Sequence, residues 1–194
     1  MNELVVIKNK PHKNLIDAVY IFFISAFLGW CLEVLYVYSV TGRLVHRGMC
    51  YGPICTIYGL ASLMLYVVYG NNRKRNIHEI IITFISSAIL LGCFELVSGL
   101  VLKYGSGIEM WNYDGQFLEI LDYTTVPISI GWGLFACIYL YLIQPIFLKI
   151  VHLLPEHIIK RLAIILISIY FIDFCASRYA IHHNPEILYK LVNP

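Results

Sequence analysis

The chain has 194 residues, of which 59% are hydrophobic and only 13% charged, against about a quarter charged in an ordinary soluble domain. A mean hydropathy of +0.73 excludes a soluble globular fold, and a net charge of +2 carries no electrostatic footprint for nucleic acid. Five apolar runs, close to or beyond the roughly 18 residues a bilayer crossing needs, fill the length and leave no room for a nucleotide-binding domain.

The first run, Ile16 to Val40, is too long for a cleavable signal peptide and continues into Thr41-Gly42-Arg43, with no small-residue cleavage site. It carries Glu33 on a helical face with Ser25, Gly29 and Tyr36, since residues three and four apart are neighbours. A charge at mid-membrane costs about 3 kcal/mol, so Glu33 is expected to face other helices or a watery cavity. The loop that follows holds Arg47, the natural counter-charge for an intramembrane carboxylate, before Tyr51-Gly52-Pro53 turns the chain back. Arg47 could equally receive an anionic group bidentately.

The second run, Pro53 to Tyr69, is the shortest and carries Tyr58. The basic cluster Arg73-Lys74-Arg75 after it is best explained by topology and contact with anionic lipid. Ile77 to Leu102 forms the third run, with Glu95 on a stripe of Ala88, Gly92 and Gly99. Such small residues let helices approach closely in lipid. Its outer loop brings Trp111 and Tyr113, either an aromatic interface belt or a lid over a site near Glu33, Arg47 and Glu95. Val126 to Val151, with Trp132, and Leu162 to Ile181, with Asp173, complete the set.

The expected fold is therefore all-α, a polytopic transmembrane bundle of five helices in a single integral membrane domain spanning residues 1–194. An internal echo suggests two parallel helix-hairpin repeats plus one extra helix. Leu28-Gly29-Trp30-Cys31-Leu32-Glu33-Val34 matches Leu91-Gly92-Cys93-Phe94-Glu95-Leu96-Val97 with one slip, and Pro53-Ile54 through Tyr58-Gly59-Leu60 matches Pro127-Ile128 through Trp132-Gly133-Leu134 without gaps. Chance likeness between apolar segments is the alternative. Nine Lys and Arg fall on the N-terminal side of the bundle and five on the other, which places the N-terminus in the cytoplasm and the C-terminus outside the plasma membrane. Cys31, Cys55, Cys93, Cys137 and Cys175 lie in apolar runs and Cys50 in a loop, and no CxxC occurs. Packing is thus a better account of them than disulfides or zinc, and no metal site or cofactor is expected.

The polar residues admit three readings. In the leading one the chain is a permease or the membrane component of a transporter. Glu33, Glu95 and Arg47 then form a substrate-binding or proton-carrying site in the outer half of the bilayer, flanked by Tyr51, Tyr58, Trp111, Tyr113 and Trp132. The second is a membrane-embedded enzyme acting on a lipid or isoprenoid headgroup, with one glutamate as general base and Arg47 as anion clamp. No nucleophile or metal set accompanies them, which weighs against an enzyme. The third is a structural accessory subunit held by interhelical polar contacts, which average only about 0.6 kcal/mol each. No GxxxxGK[ST] loop is present, so ATP-driven work needs a separate ATPase subunit, which the 71–79 loop is best placed to meet. Membrane lipids are the other expected partners, and five helices leave a homodimer open.

At these residues the chain resembles the type IV ABC-transporter, or CmpB-like, family of membrane proteins. The resemblance covers Phe27 to about Pro145. It rests on Gly29-Trp30-x-x-Glu33, Arg47-Gly48, Tyr51-Gly52-Pro53, Tyr58-Gly59, Glu95, Trp111 with Tyr113, and Trp132-Gly133. A proline usual near Thr56 is absent, the family's Trp-Asp-Tyr stands here as Trp111-Asn112-Tyr113, and an Asn-Gly stretch before the fourth helix is missing. The resemblance implies a multi-pass membrane protein acting as a permease, with no substrate specified.

Overall fold

Helix boundaries follow the punctuation of the sequence. The computed structural model describes residues 11–70, 75–107 and 109–184. Helix α1 (Pro11–Thr41) stops where Gly42 turns left-handed, its N–H on the Tyr38 carbonyl at 2.8 Å. Helix α2 (Thr56–Tyr69) ends at Gly70. Helix α3 (Ile77–Ser106) is capped at its start by the Asn76 side chain, which accepts the Glu79 N–H, and at its end by left-handed Gly107. Helix α4 (Val126–Ile138) opens with Thr125 as cap and Pro127 in the first turn, where a missing N–H costs nothing. It passes through one π turn, Tyr139–Ile143, into α5 (Gln144–Val151), and the two form one 26-residue rod. Helix α6 (Glu156–His183) follows a tight turn at Pro155.

The π turn lies just ahead of a proline. Pro145 has no N–H to give to the Tyr141 carbonyl four residues earlier, and Arg75 Nη2 donates to that carbonyl instead, at 3.2 Å.

Among the described residues the chain forms five helical rods with almost no strand. Three of them, Leu15–Thr41, Ile77–Gly105 and Val126–Val151, are long and apolar enough to cross a membrane. Helix α2 is apolar but has 14 residues, about 21 Å of rise. It begins three residues after the expected Pro53, because residues 53–55 are consumed in the turn, whereas α6 starts at Glu156, a polar turn and a half ahead of its apolar run. One feature had no signature in hydropathy: Glu119–Ile120 pairs antiparallel with Thr124–Thr125 in the loop before α4. Arg73 and Lys74 of the basic cluster, with Lys8, Lys10 and Lys190, lie outside the described residues.

Helix α1 packs chiefly on α2, and α3 on α4. Each hairpin is closed by a pair of glycines. Gly29 makes room for the base of the Tyr58 side chain, and a Cβ on Gly59 would stand 2.6 Å from the Phe22 ring. Gly92 receives the Ser129 hydroxyl, and a Cβ on Gly133 would stand 2.8 Å from both Ala88 Cβ and the Phe84 carbonyl. Gly29 corresponds to Gly92 in the internal echo, and Gly59 to Gly133, and all four lie at the contacts within the hairpins. Between the hairpins lies a core of Leu65, Leu91, Ala136, Tyr139 and Leu140. A second cluster of Tyr20, Val151, Ile159 and Ala163 fastens α6 to α1, where the Tyr20 hydroxyl also donates to the Ile159 carbonyl at 2.9 Å. The rest of α6 turns Ile164, Phe171 and Ile172 outward, an exposed apolar surface of the kind that marks a membrane or protein contact.

Candidate functional site

Glu33 projects from the face of α1 that meets α2. Its Oε1 accepts the Tyr58 hydroxyl at 2.7 Å, and its Oε2 lies 3.5 Å from both Arg47 Nε and Nη2. Arg47 reaches in from the α1–α2 loop, and the pair is largely withdrawn from solvent, with side-chain exposures of 15% for Arg47 and 28% for Glu33.

Glu95 is buried on α3 at 7% exposure. The Thr124 hydroxyl donates to its Oε2 at 2.7 Å and the Tyr113 hydroxyl to its Oε1 at 3.2 Å. Ser129 Oγ lies 3.3 Å behind Thr124 Oγ1. The Trp132 indole N–H lies near the same carboxylate without forming a hydrogen bond to it. Each glutamate is therefore served by one side chain from the loop of its own hairpin, Arg47 or Tyr113, and by a second from the returning chain, Tyr58 in α2 or Thr124 just before the α4 cap Thr125.

The two halves meet. Tyr58 and Trp132, which correspond in the internal echo, pack edge to face with centroids 6.1 Å apart. Burial pushes the Tyr113 phenol well above its ordinary titration range, and the carboxylates of Glu95 and then Glu33 push it further. Tyr113 thus lies within electrostatic reach of both acids.

Of the other residues singled out from sequence, Trp111 donates its indole N–H to the Tyr123 carbonyl at 3.0 Å and so stiffens the loop that carries Tyr113. The same loop is tied at its base by Glu109, which accepts the Tyr123 hydroxyl at 2.7 Å and pairs with Lys103 at 3.6 Å. Tyr51 is elsewhere: its side chain is 56% exposed and its backbone N–H is used on α6. Tyr36, expected on the inner stripe of α1, is 68% exposed.

Helix α6 contributes a latch. Asp173 accepts the N–H groups of Tyr51 and Gly52, each at 3.0 Å, and the Ser177 hydroxyl at 3.1 Å. Arg178 Nη2 adds a bond to the Met49 carbonyl at 3.2 Å. The segment so held directly follows Arg47 and contains buried Cys50, whose thiol is pushed up by burial and then by Asp173 and is accordingly unreactive. All six cysteines are free thiols.

Thr124, Ser177 and Asp17 had no role in the reading of the sequence. Thr124-Thr125 ahead of Pro127 was legible as a helix cap but not as a carboxylate ligand. Asp17 sits at the polar edge of the first run, 5% exposed, with Oδ1 at 2.8 Å from His152 Nε2 at the end of α5. On the surface of the loop between α3 and α4, Asp114, Glu119 and Asp122 bring carboxylate oxygens within 4.8 Å of one another.

Residues 20–178 match the family described as Putative ABC-transporter type IV. Neither the curated proteins nor the solved structures return a match.

Proposed function

Since the chain belongs to the type IV ABC-transporter family, we propose that it is the membrane component of a transporter, with Glu33, Glu95 and Arg47 as its working polar centre. One observation carries this reading. Two carboxylates from corresponding places in two hairpins are held out of water around the Tyr58–Trp132 contact. Placing each acid at such depth costs about 3 kcal/mol, whereas an interhelical polar contact returns about 0.6 kcal/mol, so structural glue is a poor reason for the arrangement. The glutamates bind a cationic group or carry a proton, and Tyr58, Tyr113 and Trp132 line the approach, with Trp111 and Tyr51 on the loops above. The N-terminus faces the cytoplasm and the C-terminus the outside of the plasma membrane. A separate ATPase subunit, docking near Arg75, supplies the energy, and a second copy of the chain completes the bundle.

Native mass spectrometry of protein purified gently from its own membranes, wild type beside Glu33→Gln/Glu95→Gln, tests this. The expected result is a bound small molecule that is lost in the double variant while an ATPase subunit co-purifies with both. A bound lipid found together with a modified product would overturn transport in favour of lipid chemistry. An empty bundle, identical in both proteins, would leave a structural role.

A further inference from the structure

The two carboxylates of the centre have partners of different kinds. Glu33 accepts from the Tyr58 hydroxyl and also faces a guanidinium, which donates only and keeps its charge at any physiological pH. The guanidinium can neither accept a hydrogen bond from a protonated carboxyl nor surrender its own charge, so it is a permanent counter-charge to Glu33. Glu95 faces hydroxyls. Among the described residues, no Lys, Arg or His forms an ion pair with Glu95. A hydroxyl both donates and accepts. Thr124 and Tyr113 therefore serve a carboxylate by donating, and serve a carboxylic acid by turning to accept its proton. Thr124 has Ser129 behind it at 3.3 Å to complete either orientation.

We propose that Glu95 is the proton-carrying group of the centre, alternating between carboxylic acid and carboxylate while Glu33 remains the fixed partner of Arg47. The proton resides on Glu95 while the carboxyl is buried under Tyr113 and Thr124, because a buried carboxyl without a counter-charge favours its neutral form. Where water reaches the carboxyl it takes the proton, and the carboxylate left behind is stabilised by solvation and by the two donating hydroxyls. The titratable and charged groups around Glu95 are Tyr113 from the loop, with Glu33 and its partners Arg47 and Tyr58 across the Tyr58–Trp132 contact, and the Lys103–Glu109 pair at the base of the loop. The assignment rests on the centre being the working site, but its test does not require transport.

Infrared spectroscopy of the protein in lipid nanodiscs reads the carbonyl stretch of a protonated carboxylic acid directly. At neutral pH the wild type and Glu33→Gln should show this band, and Glu95→Gln should lack it with its amide band unchanged. Thr124→Val provides a second reading that does not depend on the folding of Glu95→Gln: removal of one hydroxyl partner should shift the frequency of the band. A wild type without the band, a band lost in Glu33→Gln, one that survives in Glu95→Gln, or one unmoved by Thr124→Val would each overturn the assignment. Retention of the band alongside an empty bundle in the mass spectrometry would instead refute only the transport reading.

Discussion

Asp173 gives the sharpest test of how the centre is held. Its carboxylate accepts two backbone N–H groups of the α1–α2 loop at 3.0 Å each, and Ser177 at 3.1 Å. Hydrogen bonds to a charged acceptor contribute about 1.5 to 3 kcal/mol each when buried. Tyr51 is exposed and Gly52 half-buried, so water replaces part of what is lost, and Asp173→Ala should cost about 2 to 3 kcal/mol in all. For a chain of this size that lowers Tm by roughly 5 to 10 °C. Asp173→Asn keeps one acceptor and should lose about half as much. The loss should also be local: in hydrogen exchange, the Tyr51 and Gly52 amides should open before those of α1, and the Arg47–Glu33 pair, anchored a few residues upstream, should loosen with them. Thermal unfolding in detergent with exchange read by mass spectrometry measures both, and Cys175→Ala, at an exposed position of the same helix, serves as the control. An Asp173→Ala protein that melts with the control and protects Tyr51 and Gly52 as the wild type does would refute the latch.

Further outcomes follow from particular contacts. Gly92→Ala drives a methyl into Ser129 and should destabilise by about 1 to 3 kcal/mol, with partial recovery on adding Ser129→Ala, both read by thermal unfolding. Arg75→Ala should cost up to about 1 kcal/mol through the lost bond to the Tyr141 carbonyl, read by thermal unfolding. Glu109 titrates below its ordinary value, chiefly because the Tyr123 hydroxyl donates to it, with Asn112 and Lys103 assisting. Its folded value being depressed, the clasp is at full strength above the unfolded value of about 4.3 and is lost as pH falls through the lowered one. Exchange protection in residues 109–125 should therefore hold through mild acid and fail below it, and Glu109→Gln should abolish the pH dependence.

Much of this architecture was legible because it depends on periodicity. Glycines three and four residues from each glutamate mark the faces where helices approach, and Gly29 and Gly92 are found at those contacts. Glu33, Arg47 and Tyr58 are joined by the bonds their types suggest, and Glu95 with Tyr113 likewise. What hydropathy cannot convey is the direction of a loop residue. Tyr51 and Tyr113 look alike in sequence, yet one offers only its backbone to α6 and the other its hydroxyl to Glu95. Thr124 was hidden for a related reason: a two-residue strand pairing, with left-handed backbone at Leu118, Leu121 and Asp122, carries no pattern of its own. Asp17 reaches its partner only because α5 ends beside the start of α1, a tertiary fact.

The π turn of the long rod has a mechanical consequence. Tyr139 shares a hydrogen bond with Ser25 on α1 at 2.8 Å, and Tyr141, two residues on, shares one with Thr83 on α3 at 3.1 Å. One short stretch of backbone thus grips both first helices at once, like a crossbeam bolted to two posts. Any sway of one hairpin relative to the other must twist that beam, and its single irregular turn, propped by Arg75, is where the torsion would be absorbed.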